Sequence, residues 1–507
     1  MWIALEEHIA GAQEISRALV EFASIVDSDS RLVGAFLVFP GPVAKYGAAV
    51  DITTPPALGT ILRETPELAR AYLAGGCVRD ALLGCAPKDF DIEVYGVTYE
   101  QLVAALSRWG KTDLVGRSFG VVKLFLRDGA EYDFSLARRD SKTAPGHKGF
   151  AIDFDPGLTL EEATARRDFT INSLLYESRK NEIIDLHHGQ RDLRNKILRH
   201  TSAAFVEDPL RVLRGFQFAA RFELQAAVET VELCRSIKNT IRELPKDRIW
   251  HEWRKWAIKS AKPSLGLAFL RDCEWLEHYP EIRALINTPQ DARWHPEGDV
   301  FVHTCHCLDA MARLPECERA DEDTKAALMF ATLAHDFGKA TTTVIEPDKI
   351  SSAGHEAASV PLTESFLERI GAPLFLRERV VPLVLNHMFQ TELVTDRSVR
   401  RLARRLAPES VESLAILMTA DSMGRPPRPP QAPEFVSRLR AKAAELDVQA
   451  QAPKPILQGR HLLERGMTPG PKFKPILDTA FEAQLDGVFS DVEGAQVWLT
   501  KFLEGAR

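Results

Sequence analysis

Two carboxylates, Asp89 and Asp91, flank one phenylalanine in the run Asp89-Phe-Asp-Ile-Glu-Val-Tyr95. The run alternates polar and apolar residues. On a strand, Phe90, Ile92 and Val94 would face a core, with Asp89 and Asp91 side by side on the other face. Like charges so placed repel unless a cation lies between them. Oxygen ligands of this kind suit Mg²⁺, which is commonly held by one or two carboxylates plus substrate phosphates. Upstream, Gly75-Gly76 carries no Cβ, so a phosphate chain can approach the backbone. A helix from Cys77 to Leu83 offers free N–H groups to an anion, and Arg79 in its first turn can fork onto a phosphate. Together these residues point to metal-assisted transfer from a nucleoside triphosphate. The Asp-x-Asp alone also fits a solvated strand face; the double glycine, the arginine and the spacing favour transfer.

Three more groups suit the same reaction. In Glu131-Tyr-Asp-Phe-Ser-Leu136, Tyr132, Phe134 and Leu136 share one face. Asp133 takes the other, as a third carboxylate or a solvated residue. Arg166-Arg167-Asp168 precedes an apolar run with helical spacing; Arg167 is placed to reach a triphosphate with Asp168 orienting it, a structural salt bridge being the alternative. In Glu207-Asp-Pro-Leu-Arg-Val-Leu-Arg214, Pro209 fits the first turn of a helix, and Asp208, Arg211 and Arg214 share a face. A carboxylate accepts from a base amino group and a guanidinium donates to ring nitrogen or carbonyl. These side chains can therefore read a base without a template, or serve as a cap with solvated arginines.

The elements that must position these groups are legible in part. Gly84 and Pro87 end the helix after the double glycine, and Thr98 to Trp109 has helical spacing. Asp128-Gly129 between two alternating runs predicts a hairpin of 121–126 and 131–136. The polar stretch Ala137–Asp155 reads as a flexible loop. From Ala203 the pattern turns helical. In Lys246-Asp-Arg-Ile-Trp-His-Glu-Trp-Arg-Lys-Trp256, basic and aromatic residues make a candidate RNA surface, with the tryptophans read chiefly as core. Residues 1–66 carry no assignable chemistry: Gln13–Val26 reads as helix, Leu32–Phe39 as strand and Thr53-Thr-Pro-Pro56 as linker.

Length and composition set the frame. The 507 residues suffice for roughly three or four domains, and no apolar run is long enough to span a membrane. The acidic start Met1-Trp-Ile-Ala-Leu-Glu-Glu-His8 lacks a basic leader. Seven scattered cysteines without a C-x-x-C pair argue for reduced thiols and a cytoplasmic setting; Cys305 and Cys307, though near histidines, read as buried thiols. A net charge of −7 excludes a chain coated in positive charge, but a local basic face is enough for RNA.

Gly75-Gly-Cys-Val-Arg-Asp80, Asp89-Phe-Asp91, Arg166-Arg-Asp168 and Glu207-Asp-Pro-Leu-Arg211 follow one another in an order that resembles the class II tRNA nucleotidyltransferases, the CCA-adding enzymes, and their bacterial poly(A) polymerase relatives. The likeness runs from about Ala71 to the C-terminus. It implies an α+β fold, with a polymerase-β-like head of mixed sheet and helices (67–200) after an N-terminal extension (1–66). An all-helical neck that recognises the base (201–265), a body (266–445) and a tail contacting tRNA (446–507) follow. The resemblance gives Asp89 and Asp91 the Mg²⁺, with Asp133 as the third acid. Gly75, Gly76, Arg79 and Arg167, with Asp168, cradle the triphosphate; Asp208 and Arg211, assisted by Arg214, select CTP and then ATP. The implied reaction is CCA addition to tRNA 3′ ends, and the full-length 137–155 loop matches enzymes that complete the terminal A. A poly(A) polymerase or a partial CC- or A-adding enzyme uses the same parts. From another class, an RNA-binding protein or a hydrolase with an inactive head remains the alternative.

In the second half, His303, His335-Asp336, His355, His387 and Asp421 form a histidine and aspartate series. A His-Asp pair in an apolar helix is costly unless paired or metal-bound. The order His303, His335-Asp336, Asp421 resembles the HD phosphohydrolase signature. It implies metal-dependent phosphatase and 2′,3′-cyclic phosphodiesterase activity, with a structural domain as the alternative. Imidazoles with carboxylates suit Ni²⁺ or another transition metal better than Mg²⁺. The end, from Leu457 to Phe473 and the helix after it, resembles the family's tail, placed either to meet tRNA phosphates or only to pack.

Overall fold

A computed structural model describes residues 52–505 except 88, 114–119 and 143–149. Its sheet is built from β1 (Ala71–Ala74), β2 (Asp91–Val94), β3 (Lys111–Asp113), β4 (Val121–Phe125) and β5 (Glu131–Leu136). After a ribbon of β6 (Arg139–Lys142) and β7 (Phe150–Asp153), β8 (Leu175–Glu177) and β9 (Glu182–Ile184) complete it. The order is β3-β4-β5-β2-β1-β8-β9. The expected hairpin forms: β4 and β5 pair antiparallel, with Lys123 opposite Asp133. β5 then runs parallel to β2, which sets Asp91 opposite Asp133. Leu73, Ile92, Val94 and Phe134 are sealed in the core, so apolar packing fixes this register and with it the facing carboxylates.

Helices α1 (Pro56–Glu64), α2 (Gly76–Leu82), α3 (Tyr99–Leu106) and α4 (Leu160–Ala165) accompany the sheet. Capping boxes start α3, with Thr98 and Gln101, and α4, with Thr159 and Glu162. Three readings are corrected. The expected linker 53–56 and the part of the expected extension that is described, 52–66, pack with the head: Ile52, Leu58, Ile61 and Leu62 are buried in the core, and Arg179 Nε donates to the Leu62 carbonyl at 3.1 Å. Pro55-Pro56 starts a helix because proline suits its first turn. The apolar run after Asp168 is not helical but a single 3₁₀ turn, Thr170–Asn172, leading into β8; the sheet's need for a buried strand overrides helical spacing. The flanks of the 137–155 stretch pair as β6 and β7, whereas 143–149, the expected helix 13–26 and the expected strand 32–39 lie outside the described residues.

The second half is helical: α5 (Leu210–Phe222), α6 (Lys246–Lys259), α7 (Pro263–Asp272), α8 (Val300–Arg313), α9 (Glu322–Ala334), α10 (His355–Arg369), α11 (Leu374–Asn386), α12 (Asp396–Leu406), α13 (Val411–Met423) and, near the end, α14 (Phe473–Leu485) carry the argument. Two short ribbons interrupt it: Ile197–Leu198 with Gln225–Ala226, and Val344–Glu346 with Lys349–Ser351. Phe216, Trp253 and Trp256 pack face and edge at 4.6–5.4 Å between ring centres, and both tryptophans are fully buried. Trp253 and Trp256 are therefore core, while Trp250 is half-buried and stacks on Phe330. Gly266 lets α7 close on α5, since a Cβ there would lie 2.7 Å from the Phe216 carbonyl oxygen. Arg401 of α12 reaches Glu482 at 3.1 Å and Asp486, just past α14, at 3.0 Å, tying the tail to the body. No helix among the described residues is long and apolar enough to cross a membrane.

Candidate functional site

A cleft of about 830 Å³ opens between the sheet and helices α5 and α6. Gly75, Gly76, Arg79, Asp89, Asp91, Arg167, Asp168, Asp208, Arg211 and Arg214 all line it. Ten arginines and lysines face five aspartates on its walls, so a chain of net charge −7 concentrates positive charge where a triphosphate or an RNA end would enter.

Asp91 opens β2 and is solvent-accessible, and Asp89 is an exposed residue in the bend before it. The two are not strand neighbours as expected, because the strand starts only at Asp91; both still face the cleft. Asp133 stands beside Asp91 across the parallel pair, with Lys123 Nζ 3.5 Å from its carboxylate. Crowding by protein is the largest influence on the Asp91 carboxyl and raises its pKa; Asp133, Asp89 and Glu93 push the same way, and Arg167 opposes them. A carboxylate so disfavoured gains from a bound cation. The all-oxygen donor set suits a hard divalent ion.

Glu93 was missed by sequence reasoning. It is 1 % exposed and pairs with Arg167 at 2.6 Å and Arg166 at 3.0 Å. Burial alone would raise its pKa; the two guanidiniums more than offset that and hold it below the usual range. Its signal was parity, since it shares the strand face of Asp91. Asp168 does not orient Arg167, as was expected. The backbone turns there, and Asp168 accepts from Arg214 Nε at 2.6 Å, Asn172 Nδ2 at 3.0 Å and the Phe169 N–H at 2.8 Å. Gly75 has φ +71°, and a Cβ there would lie 2.8 Å from Arg167 Nη1. The glycine thus makes room for an arginine that itself faces the cleft. Arg79 is buried: Nε and Nη2 donate to Asp80 at 2.9 and 2.7 Å, Nη1 donates to Asn172 Oδ1, and Phe222 lies beneath the guanidinium. Three of its five N–H donors brace the turn, and the side chain still lines the cleft.

At the far wall Asp208 Oδ1 accepts from the Leu210 N–H at 3.0 Å, capping α5, and its Oδ2 receives Arg248 Nη2 of α6 at 3.2 Å. Arg211 donates to the carbonyls of Ala204 at 2.7 Å and Arg166 at 2.6 Å, locking α5 to the arginine pair. Arg248, Lys255 and Lys259 line the cleft, whereas Arg254 of the same helix pairs with Glu322 and the tryptophans do not reach the cleft.

A second constellation forms where helix ends of the body converge. His303, His335 and Asp421 form one cluster and Asp336, His355 and His387 an adjoining one, with Asp336 Oδ2 3.7 Å from His303 Nε2 and 3.2 Å from His335 Nε2. His335, His355 and His387 each donate Nδ1–H to the carbonyl three residues earlier, at 2.7, 2.8 and 2.7 Å. His303 Nδ1 instead faces Glu297 at 2.8 Å, a buried carboxylate the sequence reading missed, which also takes His295 at 2.9 Å. With Nδ1 occupied, every Nε2 is turned inward, the arrangement that metal-binding histidines show. Asp336 is 1 % exposed and has His355 Nε2 3.2 Å from Oδ1 and Lys339 Nζ 2.7 Å from Oδ2. Yet neither of its oxygens, nor His335 Nε2, has a hydrogen bond of good geometry. Buried orphans of this kind fit a metal. Burial opposes the charge of Asp336 and Asp421, but His335 and Lys339 hold the first, and Arg425 and His303 the second, well below the carboxylate range. Burial together with the His335 charge lowers His387 to about 3, leaving it neutral and able to ligate. A cavity of about 510 Å³ reaches Asp336, Lys339, His387, Asp421 and Arg425 from the surface.

Residues 71–199 match the poly A polymerase head domain. The multifunctional CCA protein of Xanthomonas campestris pv. campestris is 37 % identical over 399 residues, covering 75 % of this chain and 92 % of its own. That of Burkholderia pseudomallei is 36 % identical over 386 residues, covering 74 % and 84 %. Among solved structures, the Bacillus stearothermophilus CCA-adding enzyme in complex with CTP superposes with a TM-score of 0.58 at 19 % identity, covering 89 % of this chain and 99 % of its own. The Thermotoga maritima CCA-adding enzyme complexed with tRNA gives 0.53 at 17 %, covering 90 % and 97 %; both share the fold. By its acids, its cleft and these likenesses, the chain belongs to the multifunctional CCA proteins, tRNA nucleotidyltransferases with a poly(A) polymerase head.

Proposed function

We propose that the cleft adds CCA to tRNA 3′ ends from CTP and ATP, and that the histidine centre is a metal-dependent phosphohydrolase. The observation that carries the first part is the strand register that sets Asp91 against Asp133, with Asp89 and Asp91 on the wall of a cationic cleft and Asp133 just outside its lining, beside Lys123. The 3′-hydroxyl attacks the α-phosphorus and pyrophosphate leaves. A divalent ion, Mg²⁺ in this reading, held by Asp89, Asp91 and Asp133 supplies Lewis-acid neutralisation of the developing charge. The protein's part is positioning and electrostatics. Arg167, pinned by Glu93 over Gly75, presents a fixed positive charge to the triphosphate. Asp208, fixed by its cap and by Arg248, offers its remaining lone pairs to a base amino group; Arg211 reads the base by exchanging a carbonyl for it, and Arg214 assists. The tail and α6 contribute basic contacts to the tRNA backbone, so binding weakens as salt rises. The division into head, neck, body and tail, with 1–51 as an extension, follows the same reading, as does a cytoplasmic setting for seven unpaired cysteines.

The test supplies tRNA ending at the discriminator base with Mg²⁺ and CTP, ATP or both, and sequences the products. CCA ends are expected; homopolymeric A tails reject the proposal in favour of poly(A) addition. For the histidine centre, Ni²⁺-dependent hydrolysis of a nucleoside 2′,3′-cyclic phosphate is expected and is lost in His335→Ala. An inert wild type across transition metals rejects it.

A further inference from the structure

Cys307 lies one helical turn after His303 on α8 and is fully buried. Its sulfur is 3.4 Å from His303 Nε2, the nitrogen turned into the centre, and 3.8 Å from the Asp421 carbonyl oxygen. His303 Nε2 in turn lies 3.0 Å from Asp421 Oδ1. One donor atom from each of His303, Cys307, His335 and Asp421 falls within 4.8 Å of all the others. Tetrahedral ligands at ordinary Zn–N, Zn–O and Zn–S lengths stand roughly 3.3–3.6 Å apart, so the set is already near ligating distance. Two independent observations favour an ion here over a plain core thiol. His335 Nε2, 1 % exposed, belongs to the set and makes no hydrogen bond of good geometry, although Asp336 Oδ2 lies 3.2 Å away. Across from the sulfur, position 424 is glycine, and a Cβ there would collide with Cys307 Sγ. The chain keeps space for the sulfur next to Asp421. Cys305, two residues earlier, is only partly buried and joins none of the candidate metal sets.

We propose that Cys307 Sγ is a metal ligand, completing a His303–Cys307–His335–Asp421 set that selects Zn²⁺, Co²⁺ or Ni²⁺ over Mn²⁺ and Mg²⁺. This rests on reading the histidine centre as a metal site. A thiolate is a soft donor; it favours borderline transition metals, whereas an all-oxygen and imidazole set leaves Mn²⁺ competitive. On binding, the thiol proton leaves to solvent and the metal–sulfur bond replaces it.

X-ray absorption at the zinc edge of the full chain tests the proposal. Asp91→Ala removes competition from the head. Wild type and Asp91→Ala are expected to show one sulfur neighbour at ~2.3 Å beside nitrogen and oxygen at ~2.0–2.2 Å. Cys307→Ser and Cys307→Ala lose the sulfur and bind Zn²⁺ at least ~tenfold more weakly. Cys85→Ser, which removes an exposed thiol, keeps it. A nitrogen-and-oxygen-only shell in wild type, or a sulfur that survives in Cys307→Ala, overturns the proposal while leaving the metal centre standing. Should Asp91→Ala bind no zinc, the reading of the centre itself falls. If both Cys307 variants fail to fold, the wild-type shell decides, with thiolate-to-cobalt absorption of the Co²⁺ form as its check.

Discussion

Asp91 stands at the open start of β2, facing Asp133 with no imidazole near and only Arg167 in opposition. Asp336, in the body, is sealed among histidines with Lys339 against it. The surroundings raise the pKa of the first and lower that of the second. Carboxylates left crowded and wet hold a hard ion weakly until substrate phosphates add ligands, so on the proposed function the metal would arrive with the nucleotide. Carboxylates sunk among oriented imidazoles hold a softer ion without help from substrate. On the proposed function, one chain would carry a metal site completed by its substrate and another complete beforehand.

Separating the two chemistries would sharpen that contrast most. Asp91→Ala should lower nucleotide addition by on the order of 10³-fold and leave cyclic-phosphate hydrolysis untouched. Asp336→Asn should do the reverse. Both activities falling together in either variant, with unchanged melting, would break the picture of two independent sites.

A smaller effect is expected inside the head. Glu93→Gln removes the carboxylate that holds Arg167 in a partly buried site, costing about 3 kcal/mol. Differential scanning calorimetry should show an earlier head transition. In chain that remains folded, KM for both nucleotides should rise more than kcat falls, because Arg167 loses its anchor. A kcat defect alone would mean that Glu93 does something other than hold the arginines.

The same residue shows what the sequence discloses and what it conceals. Alternation along 89–95 and the Asp-Gly turn suffice for the hairpin and the buried strand, because burial of one face is written in residue type. Spacing also suffices to bring Asp208, Arg211 and Arg214 to one wall. Partnership across the fold is not written locally. That Glu93, rather than Asp168, holds Arg167 depends on how β2 meets the turn at 166–169. That Arg248 holds Asp208 depends on α6 crossing α5, nearly 40 residues away in the chain. Thr53-Thr-Pro-Pro56 was read as linker although Pro56 starts a helix, because prolines mark both loops and helix starts and only packing decides between them. His355 and His387 were visible as histidines, yet their turn into the centre is set by carbonyls three residues back.

Arg248→Ala probes one of those concealed contacts. It removes the donor on Asp208 Oδ2 while the cap from Leu210 persists. A charged hydrogen bond of this kind is worth about 1.5 kcal/mol, so the efficiency of CTP use should fall about tenfold. Misincorporation, read by sequencing 3′ ends, should rise by a similar factor, with hydrolysis unaffected. Equal losses for every nucleotide without more errors would assign Arg248 to the phosphates or the tRNA instead of to the base-reading carboxylate.

The smallest effect concerns pH, and the two regions should differ in sign. In the proposed reaction Asp91 acts ionised, and its pKa lies above the ordinary value, ~3.9. The acid limb of addition should therefore lie above that value. It should move down with added Mg²⁺, by up to ~1 unit per tenfold, because ion and proton compete for the same oxygens. Protonating Asp91 relieves its own strain, so its contribution to stability grows as pH falls through that limb. Glu93 and Asp168, held below the usual range, contribute stability above the unfolded value and lose it only as pH falls through their folded values. The head should stop working before it unfolds. In the body, Cys307, Asp421 and Glu297 outweigh burial and raise the His303 pKa well above its ordinary value when no metal is bound, so an incoming ion must displace a proton. Metal uptake there should strengthen as pH rises through neutrality, followed by isothermal titration in buffers of different ionisation enthalpy, which count the released protons. Uptake independent of pH, with none released, would mean that His303 is neutral in the apo centre and that its contacts with Glu297 and Asp421 are not those of an imidazolium.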